Sequence, residues 1–337
     1  MASIELPSGS NKPLNTQVGG HSGVLATEDG SLLIKPALPL ELQFYQTSVR
    51  DPGFAPLRHF VPKFYGTLSL QGKVDEGKGL EGGIAVTPVD SSEKDECAYS
   101  AKKSTQLTAQ NLSHPFIKPN IIDIKLGTVL YDETASPDKV ERMIKTAKDT
   151  TSLETGIRLT GFQVYNNDTG LPVNTPKAYG KSIKPADLPD GIARFFPVAS
   201  AATTAENSNS GLTRSTLLPI LRGIREDVAE LKDAFAQVDM RMVGGSVLIV
   251  YEADEDKAKE GLKLLEEGAF EDEDDEDDED ESEDEQNKPG PPFVVKLIDF
   301  AHTRIVPGEG PDEGVLLGLN TVLRLLDGRI EQIELSD

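Results

Sequence analysis

The segment that most constrains the fold is a nine-residue stretch, PNIIDIKLG, at residues 119–127. Its alternation predicts a β-strand, because successive side chains of a strand point to opposite faces of the sheet. Asp123 and Lys125 then share one face, and the apolar residues beside them share the other. A carboxylate next to an ammonium group suits proton removal from a hydroxyl beside an anionic substrate. The alternative is a strand with one solvated face and no chemical role for the pair.

A dense acidic run divides the second half of the chain. The 337 residues carry a formal net charge of −23, and residues 271–285 hold 14 of the 57 acids. Such a run cannot bury apolar surface, so we predict a disordered insertion at residues 253–291. The apolar strands expected on either side, at 246–251 and 293–298, can still pair as a hairpin, because each doubling of loop length adds only about 0.6 kcal/mol to the entropic cost of closing the loop.

The composition excludes several classes of protein. Cys97 is the only cysteine, which rules out an intrachain disulfide and favours a reducing compartment such as the cytosol or nucleus. The N-terminus lacks a basic start followed by an apolar core, so we expect no signal peptide. No apolar run approaches the roughly 20 residues that cross a bilayer. The negative charge argues against direct binding of nucleic acid.

A helix rich in cations is predicted to follow the opening strand. Ser136 suits the N-cap and Pro137 the first helical position. Spacing at i, i+3, i+4 and i+7 predicts a buried stripe of Val140, Met143, Ile144 and Ala147. Cations recur every third residue around the other faces: Lys139, Arg142, Lys145 and Lys148. They are a candidate anion site, and the alternative is a solvated helix with local acidic partners.

Further elements follow from pattern alone. We predict a strand at 31–35, a helix at 38–49, strands at 64–69 and 158–165, a long helix at 215–238 and a final helix at 315–326. Residues 166–210 read as loop apart from a short helix near 185–195.

Three residues outside the opening strand suggest a nucleotide grip. Lys35 ends an apolar strand, Glu41 follows on the next helix, and Asp299 closes the strand at 293–298. Protein kinases bind the ATP phosphates with a strand lysine that pairs with a helix glutamate, and with Mg²⁺ held by an aspartate. The alternative for Asp299 is an ordinary turn residue. The chain lacks the His-Arg-Asp, Asp-Phe-Gly, Gly-rich and Walker A motifs, so we expect phosphoryl transfer on a kinase-like frame but not a protein kinase.

Five motifs, in this order, resemble the signatures of the inositol polyphosphate kinase family. They are Pro119-x-x-x-Asp123-x-Lys125-x-Gly127, Gly156-x-Arg158-x-x-Gly161, Gly245-Ser246-Val247-Leu248 before Tyr251-Glu252, Ile298-Asp299-Phe300-Ala301-His302-Thr303, and Asp312-Glu313-Gly314 through Gly318-Leu319. The stretch from Gln110 through Tyr131-Asp132 to Met143 is most similar to the fungal multikinases of this family, the arginine-metabolism regulator type.

The resemblance implies an α+β, two-lobed fold like that of protein kinases. After a flexible arm at residues 1–19, an N-lobe at 20–112 would contain an antiparallel sheet plus a helix and bind ATP. A C-lobe at 113–337 would contain a mixed sheet and helices, with a short helical segment that binds inositol phosphate. The acidic insertion would interrupt this second lobe.

The resemblance also implies an activity. The expected reaction is ATP- and Mg²⁺-dependent phosphorylation of inositol 1,4,5-trisphosphate to the tetrakis- and pentakisphosphate. The alternatives within the family are an inositol trisphosphate 3-kinase and an inositol hexakisphosphate kinase. A non-enzymatic alternative is an acidic interaction or scaffold protein. We expect a monomer of the nucleus and cytoplasm, with basic proteins or transcription factors as partners of the acidic run.

Site residues follow from the resemblance position by position. Lys35, oriented by Glu41, would hold the ATP phosphates, and Asp299 would hold Mg²⁺. Asp123 would orient or deprotonate the attacking hydroxyl. The contacts to adenine and ribose would come from Gln110, Asn111 and Leu112. The substrate phosphates would be held by Lys125, Lys139, Arg142, Lys145, Lys177 and His302.

The chain departs from the family pattern near the nucleotide. Gln110 stands where glutamate is more usual, and Gly245-Ser246 stands where two serines are usual. A backbone contact to adenine does not depend on the first change. The residues before Gln110 are also less apolar than expected for a central strand.

Overall fold

The protein is described by a computed structural model that covers residues 24–70, 104–199, 211–270 and 290–336, with short strands at 12–13, 72–74 and 86–88. The acidic run and most of the predicted N-terminal arm lie outside these residues. The strands are β1 (Lys12–Pro13), β2 (Leu25–Ala26), β3 (Leu32–Pro36), β4 (Phe64–Leu70), β5 (Gly72–Val74), β6 (Val86–Pro88), β7 (Ser104–Gln110), β8 (Pro119–Leu126), β9 (Ile157–Asn166), β10 (Leu171–Thr175), β11 (Met240–Met242), β12 (Ser246–Glu252), β13 (Phe293–Ile298) and β14 (Thr303–Ile305). The helices are α1 (Pro39–Gln46), α2 (Pro137–Asp149), α3 (Ser152–Thr155), α4 (Lys177–Ser182), α5 (Leu188–Phe195), α6 (Arg214–Phe235), α7 (Glu255–Glu266) and α8 (Glu313–Leu335).

The first large sheet has the strand order β1-β2-β3-β7-β4, with antiparallel pairs throughout. The segment before Gln110 forms β7 and pairs on both sides, so it is a central strand despite its polar composition. Its inward side chains, Leu107 and Ala109, are buried. A strand of this polar composition can be central because the neighbouring strands satisfy its backbone polar groups on both sides, and burial of alternate residues is enough to pack it.

Helix α1 buries Phe44 and Tyr45, and the Tyr45 ring stacks on Phe64 of β4. It ends at Gln46, earlier than the predicted boundary at residue 49, and a 3-10 turn at Ser48–Arg50 follows.

The second large sheet has the order β10-β9-β8-β12-β13, and all four pairings are antiparallel. The prediction of a mixed sheet is therefore wrong. Every residue of β8 is buried except the partly buried Lys125. Both faces of β8 are covered, so the reading of a strand with one solvated face is excluded. The two large sheets lie on either side of the proposed lobe boundary at residues 112–113, which stays a prediction.

Long helices cover the apolar face of this sheet. Helices α6 and α8 pack against each other, α6 against β13, and α8 against β8 and β9. The two helices run antiparallel: Arg222 pairs with Glu334, and Arg225, later in α6, pairs with Asp327, earlier in α8. In the part of the chain that the structure describes, no helix is both long and apolar enough to span a membrane.

The hairpin of β12 and β13 forms as predicted, with Ser246 opposite Ile298 and Tyr251 opposite Phe293. The start of the predicted disordered insertion at residue 253 is wrong, because α7 occupies residues 255–266. Asp254 caps this helix by accepting a hydrogen bond from the Lys257 amide at 3.3 Å. Ala258 is fully buried, and α7 packs against α6. The high charge of the segment masked its amphipathic period.

Within the predicted loop, residues 166–199 contain more secondary structure than expected. In addition to α5, which confirms the short helix predicted near 185–195, this part contains β10 and α4. The hairpin between β9 and β10 turns at Asn166, whose side chain accepts hydrogen bonds from the amides of Asp168 and Thr169 at 2.9 and 3.0 Å. An asparagine that binds backbone amides two and three residues ahead is a turn signal.

Candidate active site

Strand register brings the acid and base of the opening motif to the end of β13. Lys125 on β8 lies opposite Ser246 on β12, and Ser246 lies opposite Ile298 on β13. Asp299, the next residue, therefore emerges beside Lys125, and the Lys125 ammonium forms an ion pair with its carboxylate. The same ammonium nitrogen lies 4.0 Å from Oδ2 of Asp123. One lysine thus joins two carboxylates.

Asp123 is a buried carboxylate with an unused acceptor. Its relative exposure is 1%. Its Oδ1 atom has no hydrogen-bond partner among the described residues. Burial raises the pKa of Asp123, the charge of Lys125 opposes that rise, and the charge of Asp299 adds to it; the nearby hydroxyls of Ser246 and Thr160 also oppose it. A buried acceptor without a partner is costly, so the site suits a ligand that donates a hydrogen bond to it.

Lys125 stays charged in this setting. Burial lowers its pKa, but Asp123 and Asp299 outweigh burial, and the net pKa lies above the ordinary value.

A β-bulge faces Asp123. Thr160 and Gly161 on β9 both lie opposite this single residue of β8. The Thr160 hydroxyl donates a hydrogen bond to the Asp123 carbonyl oxygen at 2.9 Å. Gly161 has a φ of +122°, and a β-carbon there would lie 2.8 Å from the carbonyl oxygen of Thr175. Bulges bend a strand and redirect its neighbours, and they are common beside active sites.

The backbone at Asp299 is strained. With a φ of 67°, Asp299 is the only non-glycine residue with positive φ in the part of the chain that the structure describes. Aspartate tolerates this region better than most residues, but such a conformation persists only where the surroundings hold it. The ion pair with Lys125 on one side and the burial of Phe300 on the other provide that hold.

The predicted pair of Lys35 and Glu41 exists as an ion pair. Lys35 Nζ on β3 lies 2.7 Å from Glu41 Oε1 on α1. Glu41 is buried, whereas Lys35 is partly exposed. A lysine held by a buried carboxylate keeps its ammonium in one place, which is what a phosphate grip requires. Their nucleotide contacts stay predictions.

The predicted hinge begins where β7 ends. The Gln110 amide donates a hydrogen bond to the Lys63 carbonyl oxygen at 3.0 Å. The Asn111 side chain donates to the Gly30 carbonyl oxygen at 2.7 Å and accepts from the Ser113 hydroxyl at 2.9 Å. Asn111 is thus engaged in holding the turn, and Leu112 has a buried side chain. Contacts from this segment to adenine or ribose stay predictions.

Two site residues were missed by the assignment of roles from sequence. The first is Arg158, which lies on β9 directly across from Lys125. Burial lowers the pKa of Arg158, and Asp123 opposes that effect. Its place in the Gly156-x-Arg158 motif was the available signal.

The second missed residue is Asp132, on the loop between β8 and α2. Its Oδ2 atom lies 2.7 Å from Nδ1 of His302 and 3.9 Å from Nζ of Lys139. The Thr134 hydroxyl is the largest factor that lowers the pKa of Asp132, and the charges of His302 and Lys139 lower it further. Two predicted substrate contacts therefore meet at one carboxylate. No periodic pattern marks Asp132.

The predicted start of α2 is confirmed, and its predicted buried stripe is wrong. Ser136 caps the helix by accepting a hydrogen bond from the Lys139 amide at 3.4 Å. Of the predicted stripe, only Ala147 is buried, and Ile144 is 39% exposed. The main contact of the helix is with the short α3, which is too small to cover the stripe.

The cations of α2 do not all reach the site. Lys139 approaches Asp132, but Lys145 lies six residues later, about 120° around the helix. Lys145 instead pairs with Asp149 at 2.6 Å on the solvent side, as the solvated-helix alternative expected. Arg142 is exposed between them. Roles of Arg142 and Lys145 in substrate binding stay predictions without support from a shared location.

Lys177 starts α4 and lies beside the bulge. A β-carbon at Gly161 would lie 3.5 Å from the Lys177 amide nitrogen. The backbone of Lys177 is thus next to the strand segment that faces Asp123, and its exposed side chain stays a predicted substrate contact.

Comparison with known proteins agrees with the motifs. The sequence model of the inositol polyphosphate kinase family matches residues 106–327. The inositol polyphosphate multikinase of Saccharomyces cerevisiae is 32% identical over 92% of this chain and 96% of its own length. That of Schizosaccharomyces pombe is 27% identical over 70% of this chain and 77% of its own length. Rat inositol hexakisphosphate kinase 1 is 26% identical over 66% of this chain and 51% of its own length.

Similarity extends to tertiary structure. The crystal structure of inositol phosphate multikinase Ipk2 from Saccharomyces cerevisiae, in complex with ADP and Mn²⁺, matches with a TM-score of 0.60 and 27% identity. The match covers 89% of this chain and 99% of that structure. It confirms the α+β, kinase-like fold. The chain therefore belongs to the inositol polyphosphate kinase family, and it is accordingly a phosphate-transferring enzyme.

Proposed function

We propose that this enzyme is an ATP- and Mg²⁺-dependent multikinase that converts inositol 1,4,5-trisphosphate to the tetrakis- and pentakisphosphate. The observation that carries the proposal is the arrangement of Asp123, Lys125 and Asp299. A buried carboxylate with a free acceptor atom lies beside an ammonium group that also pairs with a strand-end carboxylate. This arrangement supports transfer of a phosphoryl group to a hydroxyl.

In the proposed reaction, a hydroxyl oxygen of the inositol attacks the γ-phosphorus of ATP and ADP leaves. Asp123 accepts a hydrogen bond from that hydroxyl, orients it and takes its proton. Burial raises the pKa of Asp123, which makes the carboxylate a stronger base than an exposed one. Lys125 places a positive charge beside the attacking oxygen and the transferred group.

Asp299 is the residue that would hold Mg²⁺. Magnesium binds oxygen ligands and commonly takes one or two carboxylates plus nucleotide phosphates, so a single fixed aspartate fits it. When bound, the ion would neutralise charge on the ATP phosphates. Lys35, held by Glu41, would contact the same phosphates from the other sheet.

The basic side chains near this centre support a substrate with several phosphates. Lys139 and His302 meet at Asp132, Arg158 lies across from Lys125, and the Lys177 backbone adjoins the bulge. Lysine and arginine bind phosphate through charge-assisted hydrogen bonds. The yeast multikinase is 32% identical over 92% of this chain, whereas rat inositol hexakisphosphate kinase 2 is 24% identical over 94% of it. This difference in identity favours multikinase activity over the hexakisphosphate kinase alternative.

Incubation of the purified chain with ATP, Mg²⁺ and inositol 1,4,5-trisphosphate tests the proposal. Anion-exchange chromatography should resolve a tetrakisphosphate first and a pentakisphosphate later. An Asp123→Asn variant should lose at least a hundredfold in kcat while remaining folded. Absence of product, or full turnover by Asp123→Asn, would contradict the assignment. Conversion of the hexakisphosphate to a pyrophosphate, without turnover of the trisphosphate, would favour the alternative.

Three further proposals concern context. We propose a monomer that works in the nucleus and cytoplasm, for which the single cysteine is suitable. We also propose that the acidic run at residues 271–285 contacts basic proteins such as transcription regulators. Sedimentation, fluorescent fusions and salt-dependent binding to a purified basic partner would test these proposals in turn.

A further inference from the structure

Asp132 joins its own loop and the helix that follows it to a segment much later in the chain. It belongs to the loop before α2, Lys139 lies on the first turn of that helix, and His302 follows β13 by four residues. One carboxylate oxygen, Oδ2, faces both partners, at 2.7 Å from His302 Nδ1 and 3.9 Å from Lys139 Nζ. The carboxylate side chain is only 14% exposed, whereas those of His302 and Lys139 are 38% and 39% exposed.

The other oxygen of this carboxylate is anchored. Oδ1 of Asp132 accepts a hydrogen bond from the Thr134 amide at 2.9 Å and from the Thr134 hydroxyl at 2.6 Å. Asp132 is therefore a fixed point on its loop. The partly exposed side chains of His302 and Lys139 lie against this fixed carboxylate.

A carboxylate is unexpected where a polyphosphate is to bind. Its charge repels the substrate, and it offsets one of the nearby positive charges. Such a group lowers affinity unless it contributes something else. Here it gives two mobile side chains a common partner, and preorganised donors lose less side-chain entropy when the ligand binds.

We propose that Asp132 is a positioning residue, which holds His302 and Lys139 in place for a phosphate of the inositol substrate. In the free enzyme the Asp132 carboxylate is the anionic partner of these two side chains, and a substrate phosphate becomes that partner when the substrate binds. On binding, Lys139, at the longer distance, turns to the phosphate. His302 stays against Asp132 through Nδ1 and presents Nε2. This inference rests on the proposed function, because that proposal makes Lys139 and His302 substrate contacts.

Kinetics and direct binding of an Asp132→Asn variant test the inference. We expect KM and Kd for inositol 1,4,5-trisphosphate to rise about tenfold, from loss of the charged partner. The KM for ATP should stay within about twofold, because Asp132 has no predicted nucleotide contact. An unchanged or lower KM for the inositol phosphate would overturn the inference, since repulsion would then be the main effect of the carboxylate.

A double-mutant cycle separates positioning from a general structural role. If Asp132 acts through His302, the effect of Asp132→Asn should fall below about threefold in a His302→Gln background. An undiminished effect in that background would overturn the inference. Thr134→Val, which removes one anchoring hydrogen bond, should raise the KM by about two- to threefold if positioning matters. No change in that variant would count against it, even if Asp132→Asn failed to fold.

Glu133→Gln is the matched control. Glu133 is the next residue, its side chain is 73% exposed, and it pairs with Arg304 on the surface. The substitution makes the same charge change and should leave the KM within about twofold. Failure of the proposed substrate site can be told apart from failure of the positioning role. If the site itself is wrong, His302→Gln and Lys139→Met should both leave the KM for the inositol phosphate unchanged. If those variants raise the KM and Asp132→Asn does not, only the positioning role fails.

Discussion

The rings of Phe44 and Phe300 stack with centroids 4.0 Å apart and planes within 9°. Phe44 lies on α1, three residues after Glu41, and Phe300 directly follows Asp299. Both rings are essentially fully buried. The stack therefore joins the helix that holds the Lys35 ammonium to the strained turn that presents the proposed metal ligand.

Phe300→Leu should weaken catalysis more than its cost in stability explains. Loss of the stacked pair removes about 1–2 kcal/mol of stability, from the aromatic contact and reduced packing. Because the packing of Phe300 fixes the turn that positions the Asp299 carboxylate, we expect kcat/KM for ATP to fall about tenfold. Steady-state kinetics and urea unfolding measure the two effects. Phe235→Leu, in the core of α6, is the control, with a similar loss of stability and little change in kcat/KM; equal kinetic losses in both variants would contradict the prediction.

Gly156→Ala should be severely destabilising. Gly156 has a φ of +70°, and a β-carbon there would lie 2.5 Å from the Gly318 amide nitrogen on α8. We expect a loss of at least about 3 kcal/mol, from backbone strain plus displacement of the helix. Gly170→Ala is the control, since its φ is +67° with nothing within 4 Å of the added carbon. That variant should lose only about 1 kcal/mol in urea unfolding, and similar losses at both positions would show that close packing against α8 does not matter.

Glu255 should make stability depend on pH in the acid range. It accepts hydrogen bonds from the Thr213 amide and the Thr216 hydroxyl at 2.9 and 2.6 Å, at the start of α6. Burial raises its pKa, but these and other hydrogen bonds outweigh burial and lower it from 4.5 to about 2. Because the folded pKa is the lower one, the stabilisation is complete above pH 4.5 and is lost as the pH falls towards 2.

Glu255→Gln should therefore cost about 1–2 kcal/mol at pH 7 in urea unfolding, as expected for a lost helix cap with charged hydrogen bonds. The difference from the natural protein should narrow at pH 4 and again at pH 3. Glu260→Gln, whose glutamate pairs with Lys257 on the surface, should cost less than about 0.5 kcal/mol. A difference in the free energy of unfolding between Glu255→Gln and the natural protein that stays constant with pH would contradict the lowered pKa of Glu255.

Deleting residues 271–285 should leave the KM for inositol 1,4,5-trisphosphate nearly unchanged. The insertion joins the hairpin at the end where Tyr251 lies opposite Phe293, and Asp299 follows the other end. Five residue steps along the strand separate those ends by roughly 17 Å. We expect a change below about twofold, with a neutral linker of equal length as the control for length. A large fall in the KM at low salt would contradict the prediction, because the acids would then repel the substrate.

Local patterns predicted many of the elements and supplied the candidate residues of the site. The alternation in β8, the N-cap at Ser136 and the apolar strands around the insertion are short-range signals, and the structure contains each of them. The helix α7 was missed because its charge resembled that of the acidic run beside it. The stripe on α2 was misread because periodicity indicates which side is apolar and not how much of it a neighbour covers.

The sequence by itself determined the family, many of the elements and the candidate residues Lys35, Asp123 and Asp299, because each is marked by its place in a local pattern. Only the tertiary structure decided which side chains meet. Pairing of β8, β12 and β13 places Asp299 against Lys125, across a sequence separation of 174 residues. The path of the chain after β13 likewise brings His302 to Asp132, which also lies near Lys139. Strand register and loop paths set such distances, and no short window of sequence contains them.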